Sequence, residues 1–472
     1  MKLSHYLGDK AFWRVASGLA LPIALQNVLT SSFQLVDTMM VSNLGDLTLS
    51  ATGMAGQWGW LATLLGFGLA SGMSIFVSQY WGVKDHKGIR RVLGMGLITS
   101  LLLSLVFMAV ALLFPEQVLS LFNKDPDVIA VGSRYLSIVC LSYPAVALSN
   151  VLSNVLRGTE RVRLPLYVSI FTTIANVLVN YALIFGKFGM PRLGAAGAAI
   201  ATCVSSWLGP ILIMLFSLKQ KNLLIGPVRE LLDFNFSHLR QFIQRAIPVM
   251  LNEGMWALGI LVLNMIYSNQ GYEYYAGMTI FKTFADLTFA FYAGLGGACV
   301  VMVGKSVGRG KIERCLEDAT RFNVLVPLAG VISGGLTILV RNPLISLFAS
   351  GDNLSAVTLE TALAVTVFCS IEVGFRNISY VQIVGVFRSG GDALFGMLYD
   401  LGSIWLVSIP LALLAANVLH LPFLAIVMVA YLGEDIPKSL LCLWHFKTGR
   451  WLKPVTPEGQ AALEQFRSKT NK

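Results

Sequence analysis

Residues 66–82 read GFGLASGMSIFVSQYWG, and residues 293–308 read AGLGGACVVMVGKSVG. Both stretches are apolar and glycine-rich, and each ends at a glycine that opens a short basic loop. Gly82 and Gly308 stand 226 residues apart. The same offset links Pro22 in ALPIAL (20–25) to Pro248 in RAIPVML (245–251). A third pair, SNVLRG (153–158) and VGVFRS (384–389), follows at an offset of 231. Three matches in one order mark an internal duplication.

The duplicated unit belongs in a membrane. Of 472 residues, 55% are apolar and only 13% charged, about half the charge of a soluble domain. Mean hydropathy is +0.69. Disorder is excluded, because disordered chains are poor in apolar residues. Apolar runs separated by charged and turn-rich breaks predict twelve spans. They lie near 15–41, 53–81, 92–114, 128–156, 164–186, 195–218, 242–268, 276–304, 318–340, 357–386, 393–416 and 421–446. The runs are continuously apolar rather than alternating, which predicts helices and not a barrel. The fold class is therefore an all-α polytopic membrane protein with two six-helix lobes.

Direction follows from the basic residues. With the N-terminus inside, 26 Lys and Arg fall in inner segments and only Lys124, Lys187, Arg192 and Arg341 in outer loops. That bias predicts two cytoplasmic termini and a multi-pass protein of the cell (inner) membrane. It also accounts for the net charge of +10 without a nucleic-acid partner. An even number of spans per half makes the repeats parallel, and parallel repeats form two lobes around a central substrate path. The expected boundaries are 1–218 for the first lobe, 219–241 for a cytoplasmic linker, 242–452 for the second lobe and 453–472 for a tail. LIGPVRELLDFNF in the linker predicts an amphipathic surface helix. The start, MKLSHYLGDKAFWRVASG, predicts no cleaved signal and leads straight into the first span.

Polar residues inside the spans carry the chemistry. In span 1, Asn27, Thr30, Ser31, Gln34 and Asp37 recur on one helical face. Span 5 has Ser169, Thr172, Thr173, Asn176 and Asn180 in one stripe, and span 4 adds Asn150, Ser153 and Asn154. The Ser and Thr positions read as interhelical glue. Asp37 reads differently: a carboxylate inside a bilayer with no cation beside it must take a proton or bind a cation. In the second half, Glu253 lies one turn after Pro248. Lys282/Asp286 and Glu372/Arg376 have i, i+4 spacing, so each pair either neutralises itself or lines a transport path. Asp400, Glu434 and Asp435 stay open to both readings. Pro22 and Pro248 interrupt the first span of each half, and Pro22 is the candidate hinge.

Other chemistries find no support. Gly304-Lys305-Ser306 imitates the end of a phosphate-binding loop, but the glycine required five residues earlier is Cys299. The six cysteines and five histidines are scattered, which predicts neither disulfides nor a metal centre. No nucleophile elbow or metalloprotease helix is present. The expectation is a carrier, not an enzyme.

Four segments carry a specific resemblance. They are LALPIALQNVLTSSFQLVDTMMVSNLG in span 1, NVLRGTERVRLPL after span 4, NVLVNYALIFGKFGMPRLGAAGAAIAT across spans 5 and 6, and FRSGGDALF after span 10. Together, over Phe12 to Trp451, the chain resembles the multidrug and toxin extrusion (MATE) family of secondary transporters. The resemblance implies a V-shaped pair of lobes exporting cationic or amphipathic compounds by antiport with H⁺ or Na⁺, with no cofactor. It implies that Asp37 is the span 1 coupling carboxylate, Pro22 the bending proline, and Asn176 and Asn180 part of the span 5 ion site. Some members carry aspartate where Asn180 stands, so this site has one negative charge less. Asn154 joins this ion-coupling set, and Gln34 and Asn27 are expected to line the substrate cavity. A Na⁺ ion would sit at Asp37, Asn176 and Asn180. The second-lobe candidates are Glu253, Asp286, Glu372 and Asn377. Of these, Glu253 is similar to the span 7 acid of some subgroups, and Asn377 stands where another subgroup has a span 10 aspartate. The expected partners are small organic cations or amphipathic drugs and the lipid bilayer, with the protein as a monomer. The alternative is a lipid-linked oligosaccharide flippase of similar fold. It would need an anion-binding cavity, for which only Lys282 and Arg376 are available.

Overall fold

The computed structural model of the chain describes residues 4–122, 124–349 and 355–470. Among them twelve long helices carry the fold, and no strand occurs. They are α1 (Lys10–Ser42), α2 (Asp46–Gly82), α3 (His86–Leu113), α4 (Pro126–Gly158), α5 (Arg163–Phe185), α6 (Ala195–Gln220), α7 (Phe236–Ser268), α8 (Tyr272–Gly308), α9 (Ile312–Ala349), α10 (Ala356–Gly390), α11 (Ala393–Asn417) and α12 (Phe423–Thr448). Each corresponds to one expected span. In hydrocarbon only a helix satisfies every backbone group from within its own segment.

Eleven of the twelve are long and apolar enough to cross a bilayer. The exception, α12, has Glu434, Asp435 and Lys438 at its centre. Those charges are buried and ion-paired with one another, Lys438 Nζ lying 2.8 Å from Glu434 and 3.2 Å from Asp435. Local chemistry sets the helix ends. Asp85 accepts from Gly88 N at 2.9 Å at the start of α3, and Ser355 accepts from Thr358 N at 3.2 Å at the start of α10. These side chains satisfy amide groups that the first turn leaves open. At the other end, α5 stops at Gly186 and α12 at Gly449, both left-handed.

The chain divides into two compact units. One comprises Leu25–Met250, the other Met1–Ala24 with Leu251–Lys472. The division falls inside α1 and α7, two to three residues after Pro22 and Pro248. It thus differs from a boundary in the 219–241 linker, because each half contributes the start of its first helix to the other unit. The packing is equivalent in both. In the first unit a Cβ on Gly72 of α2 would meet Ala246 of α7 at 2.6 Å, and Arg245 stands over the Phe76 ring at 5.8 Å. In the second, Gly294 of α8 faces Ala20 and Ala24 of α1, and Phe12 packs on Phe322 at 5.3 Å. The glycine-rich stretches that reveal the repeat are thus the surfaces on which these half-helices lie.

The linker forms less helix than expected. Only Val228–Leu231 is helical before α7 begins. Gly226 and Pro227 break the run, and Arg90 of α3 takes up the carbonyls of Leu223 at 3.1 Å and Ile225 at 3.2 Å. The same guanidinium pairs with Glu230 at 2.6 Å. Val228, Leu232 and Phe236 remain exposed.

A buried cap closes the turn between α10 and α11. Asp392 accepts from His445 Nε2 at 3.0 Å and from Lys453 Nζ at 2.8 Å. Burial pushes this carboxyl up, but the two donors outweigh it and hold the group below the usual carboxylate range. A carboxyl depressed in the folded state stabilises the fold above its unfolded pKa and loses that contribution as pH falls through its folded value. Asp392→Asn should therefore cost about 1.5–3 kcal/mol at neutral pH, the range for hydrogen bonds to charged groups. The difference from wild type should shrink as the medium is acidified. Parallel unfolding curves from neutral to acid pH would remove Asp392 as the acid-sensitive group.

Candidate functional site

Asp37 lies in the last third of α1, five residues before its end at Ser42, and is half-buried. Asn180 of α5 donates through Nδ2 to Asp37 Oδ1 at 2.7 Å. The same Nδ2 lies 2.6 Å from Asn176 Oδ1. Asn176 in turn donates to Ser205 Oγ of α6 at 2.9 Å, and Ser205 donates to the Thr202 carbonyl at 3.1 Å. The hydrogen bonds link α1, α5 and α6, with the Asn180 amide donating both to the carboxylate on α1 and, through Asn176, towards α6. Asn176 and Asn180 are 0% and 1% exposed. The i, i+4 spacing on α5 puts both amides on one face, so the stripe legible in the sequence is the face that meets Asp37.

Two features make this arrangement chemically open. Asp37 has no ion-pair partner among the described residues, and its one hydrogen-bond donor is a neutral amide. The Asn180 Oδ1 atom is buried without a donor. An unsatisfied acceptor beside a carboxylate suits a proton or a cation and does not suit an anion.

The other first-half candidates stand apart from this core. Asn154 bonds the Asn150 carbonyl of its own helix at 2.9 Å. Gln34 is exposed and Asn27 half-buried; the Gln34 carbonyl accepts from Thr38 Oγ1 at 2.9 Å. Ser205 is the residue that sequence reading missed. Its signal was weak, since α6 carries no polar stripe.

A second polar contact lies one turn after Pro22. Arg157 donates to Gln26 Oε1 at 2.6 Å, and Gln26 Nε2 donates to Ser169 Oγ at 3.0 Å. The other half repeats it: Arg388 donates to Glu253 Oε1 at 2.7 Å. Arg157 and Arg388 are the matched arginines of SNVLRG and VGVFRS. Both had been counted as inner-loop charges, yet the repeat register already paired them. α10 widens to i→i+5 hydrogen bonding over Val381–Phe387, a turn that reorients the residues after it and precedes the buried Arg388.

The second-half candidates separate in the same way. Glu253 is neutralised by Arg388. Asn377 is fully buried against Gly330 of α9 and bonds the Val326 carbonyl at 3.4 Å, a helix-packing role. Glu372 pairs with Arg376 at 3.2 Å, as its spacing predicts. Lys282 and Asp286 form no such pair. Lys282 turns to Asn264 Oδ1, and Asp286 is exposed.

Comparison with known proteins identifies the family. The MatE family model matches residues 22–182 and again 248–414. The probable multidrug resistance protein NorM of Thermotoga maritima is 24% identical over 436 residues, 92% of each chain. The probable multidrug resistance protein YoeA of Bacillus subtilis is 26% identical over 447 residues, 93% of this chain and 94% of its own. A crystal structure of MATE in the straight conformation superposes with a TM-score of 0.82 over 98% of both chains; at 16% identity that likeness is one of fold. The family model meets the chain once on each repeat, starting each time at the proline of the first helix, and the chain belongs to the MatE family of multidrug and toxin extrusion transporters.

Proposed function

We propose that the protein is a proton-driven antiporter that exports cationic or amphipathic organic compounds by alternating access, with Asp37 as the coupling acid. The observation that carries this is the Asp37 carboxylate, at membrane depth, balanced by no cation and held by one neutral amide. An ionised acid within the bilayer is costly, up to about 2.5–3.5 kcal/mol for one at the helix centre on insertion scales. Taking up a proton removes that cost, and releasing it on the other side restores it. A bilayer gradient can be spent through such a group.

A proton fits better than Na⁺. Hard cations gather several oxygen ligands. In the set Asp37, Asn176 and Asn180, the Asn176 oxygen already accepts from Asn180, which leaves Asp37 Oδ2 and Asn180 Oδ1. The relatives named as multidrug resistance proteins support drug-like substrates. The two intramembrane cations that a flippase for anionic headgroups would use are otherwise engaged, Lys282 with Asn264 and Arg376 between two acids.

The test is efflux of a fluorescent cation from vesicles with pH and Na⁺ gradients imposed separately. Efflux should follow the pH gradient alone; a response to Na⁺ alone would replace the proton in this reading. Orientation has its own test. Reporter fusions after Lys84, Arg161, Lys221 and Lys311 should read cytoplasmic, and fusions near Asp46, Pro126 and Gln270 external. One clear reversal breaks the inside-facing termini.

A further inference from the structure

The segment between α6 and α7 is left with an apolar face and with free charge of one sign. Val228, Leu232 and Phe236 are 68%, 60% and 80% exposed. Leu232 N donates to the Val228 carbonyl at 3.3 Å, so these two side chains lie one helical turn apart on one face. Phe236 opens α7. Arg240 and Ile243 follow it at i+4 and i+7, both exposed, with Phe242 and Ala246 buried behind them. On α6 the exposed row Ile211, Leu215 and Leu218 runs into Lys219. Exposed apolar rows on membrane helices face lipid, and a lysine or arginine at the end of such a row extends to the headgroups.

The exposure is built in. Arg90 of α3 holds the carbonyls of Leu223 and Ile225. A Cβ on Gly94 of α3 would stand 1.8 Å from the Leu231 carbonyl, so the short helix lies directly on α3. The backbone is pinned against the protein while its apolar side chains point away from it. The charges sort in the same way. The two acids of the linker are taken up by α3, Glu230 by Arg90 at 2.6 Å and Asp233 by Arg91 at 3.3 Å. Lys219, Arg229 and Arg240 are exposed and, among the described residues, paired with no acid. Exposed apolar side chains beside unpaired cations match a membrane surface with negative headgroups: the apolar groups enter the acyl boundary and the cations stay with the phosphates. A soluble partner would not require the face to continue the lipid-facing rows of α6 and α7.

We propose that Val228, Leu232 and Phe236, flanked by Lys219, Arg229 and Arg240, form a docking surface for anionic phospholipids at the ends of α6 and α7. The apolar side chains anchor the segment in the interface, and the three cations select lipids with a net negative headgroup. The inference rests on contacts within the Leu25–Met250 unit, not on the coupling ion or the exported compound.

Native mass spectrometry of the full chain, released from micelles holding equal amounts of phosphatidylglycerol and phosphatidylcholine, counts the retained lipids of each kind. Wild type should retain phosphatidylglycerol in preference. Arg229→Gln and Arg240→Gln should each weaken that preference about fivefold. Lys84→Gln, at an exposed cation of the α2–α3 loop, should leave it unchanged. Val228→Ser with Leu232→Ser should lower retention of both lipids. Equal retention of the two lipids by wild type overturns the proposal and leaves the face to a soluble protein partner. A loss in Lys84→Gln as large as in Arg229→Gln overturns it too, by reducing the preference to net charge. A micelle has no inner and outer side, so reversed reporter fusions or failed efflux would leave this result standing.

Discussion

Asp37→Asn should fold, insert and reach the membrane at wild-type levels, and it should lose gradient-driven efflux. The substitution is nearly isosteric. Asn180 Nδ2 can donate to the new amide oxygen as it does to Asp37 Oδ1 at 2.7 Å, so the α1–α5 contact survives. What disappears is the group that changes charge. If coupling runs through one acid, removing it uncouples the cycle, and efflux under an imposed pH gradient should fall at least tenfold, equivalent to about 1.4 kcal/mol or more in the coupled step. The measurement is dye export from vesicles carrying matched amounts of protein. Export at the wild-type rate would end the case for Asp37. Coupling would then pass to an acid of the second half.

The sequence reveals the fold because membrane insertion is a composition rule and duplication is a register rule. Twelve apolar runs and three matched segments suffice to state twelve helices in two lobes. The exchange of half-helices was not legible. Nothing in ALPIAL or RAIPVML says which side of a proline packs on which unit; that depends on where glycines such as Gly72 and Gly294 allow close approach. The site divides along the same line. Asp37, Asn176 and Asn180 were legible because helical periodicity puts them on two facing stripes. Ser205 was not, since a single serine in an apolar helix is ordinary. The Lys282–Asp286 pair failed for a related reason. Spacing permits an i, i+4 contact, but a long lysine can turn to another helix, here to Asn264. Arg157 and Arg388 were hidden by the positive-inside rule, which counts arginines at helix ends without asking where they point.

Those two arginines give the second large effect. Glu253→Gln should destabilise the protein by about 3–5 kcal/mol, the range for removing one member of a buried ion pair. The other half is the contrasting case, since Arg157 already has a neutral glutamine, Gln26, as its partner. Burial decides between the cases. The Arg388 side chain is 3% exposed, whereas Arg157 keeps part of its surface exposed although its Nε is buried. A neutral partner therefore suffices in the first half and not in the second. The converse substitution, Gln26→Glu, should be near neutral or stabilising, because it supplies the carboxylate that Glu253 supplies to Arg388. Glu253→Gln with Arg388→Gln should recover much of the single-variant loss, giving a coupling energy in a double-mutant cycle. The readout is denaturant unfolding in detergent, with efflux per folded molecule measured in parallel. Because Arg388 neutralises Glu253, the pH response of efflux should survive in the fraction of Glu253→Gln that remains folded. Unfolding of Glu253→Gln at the wild-type midpoint, together with loss of the pH response, would instead make Glu253 a coupling acid and leave Arg388 as its regulator.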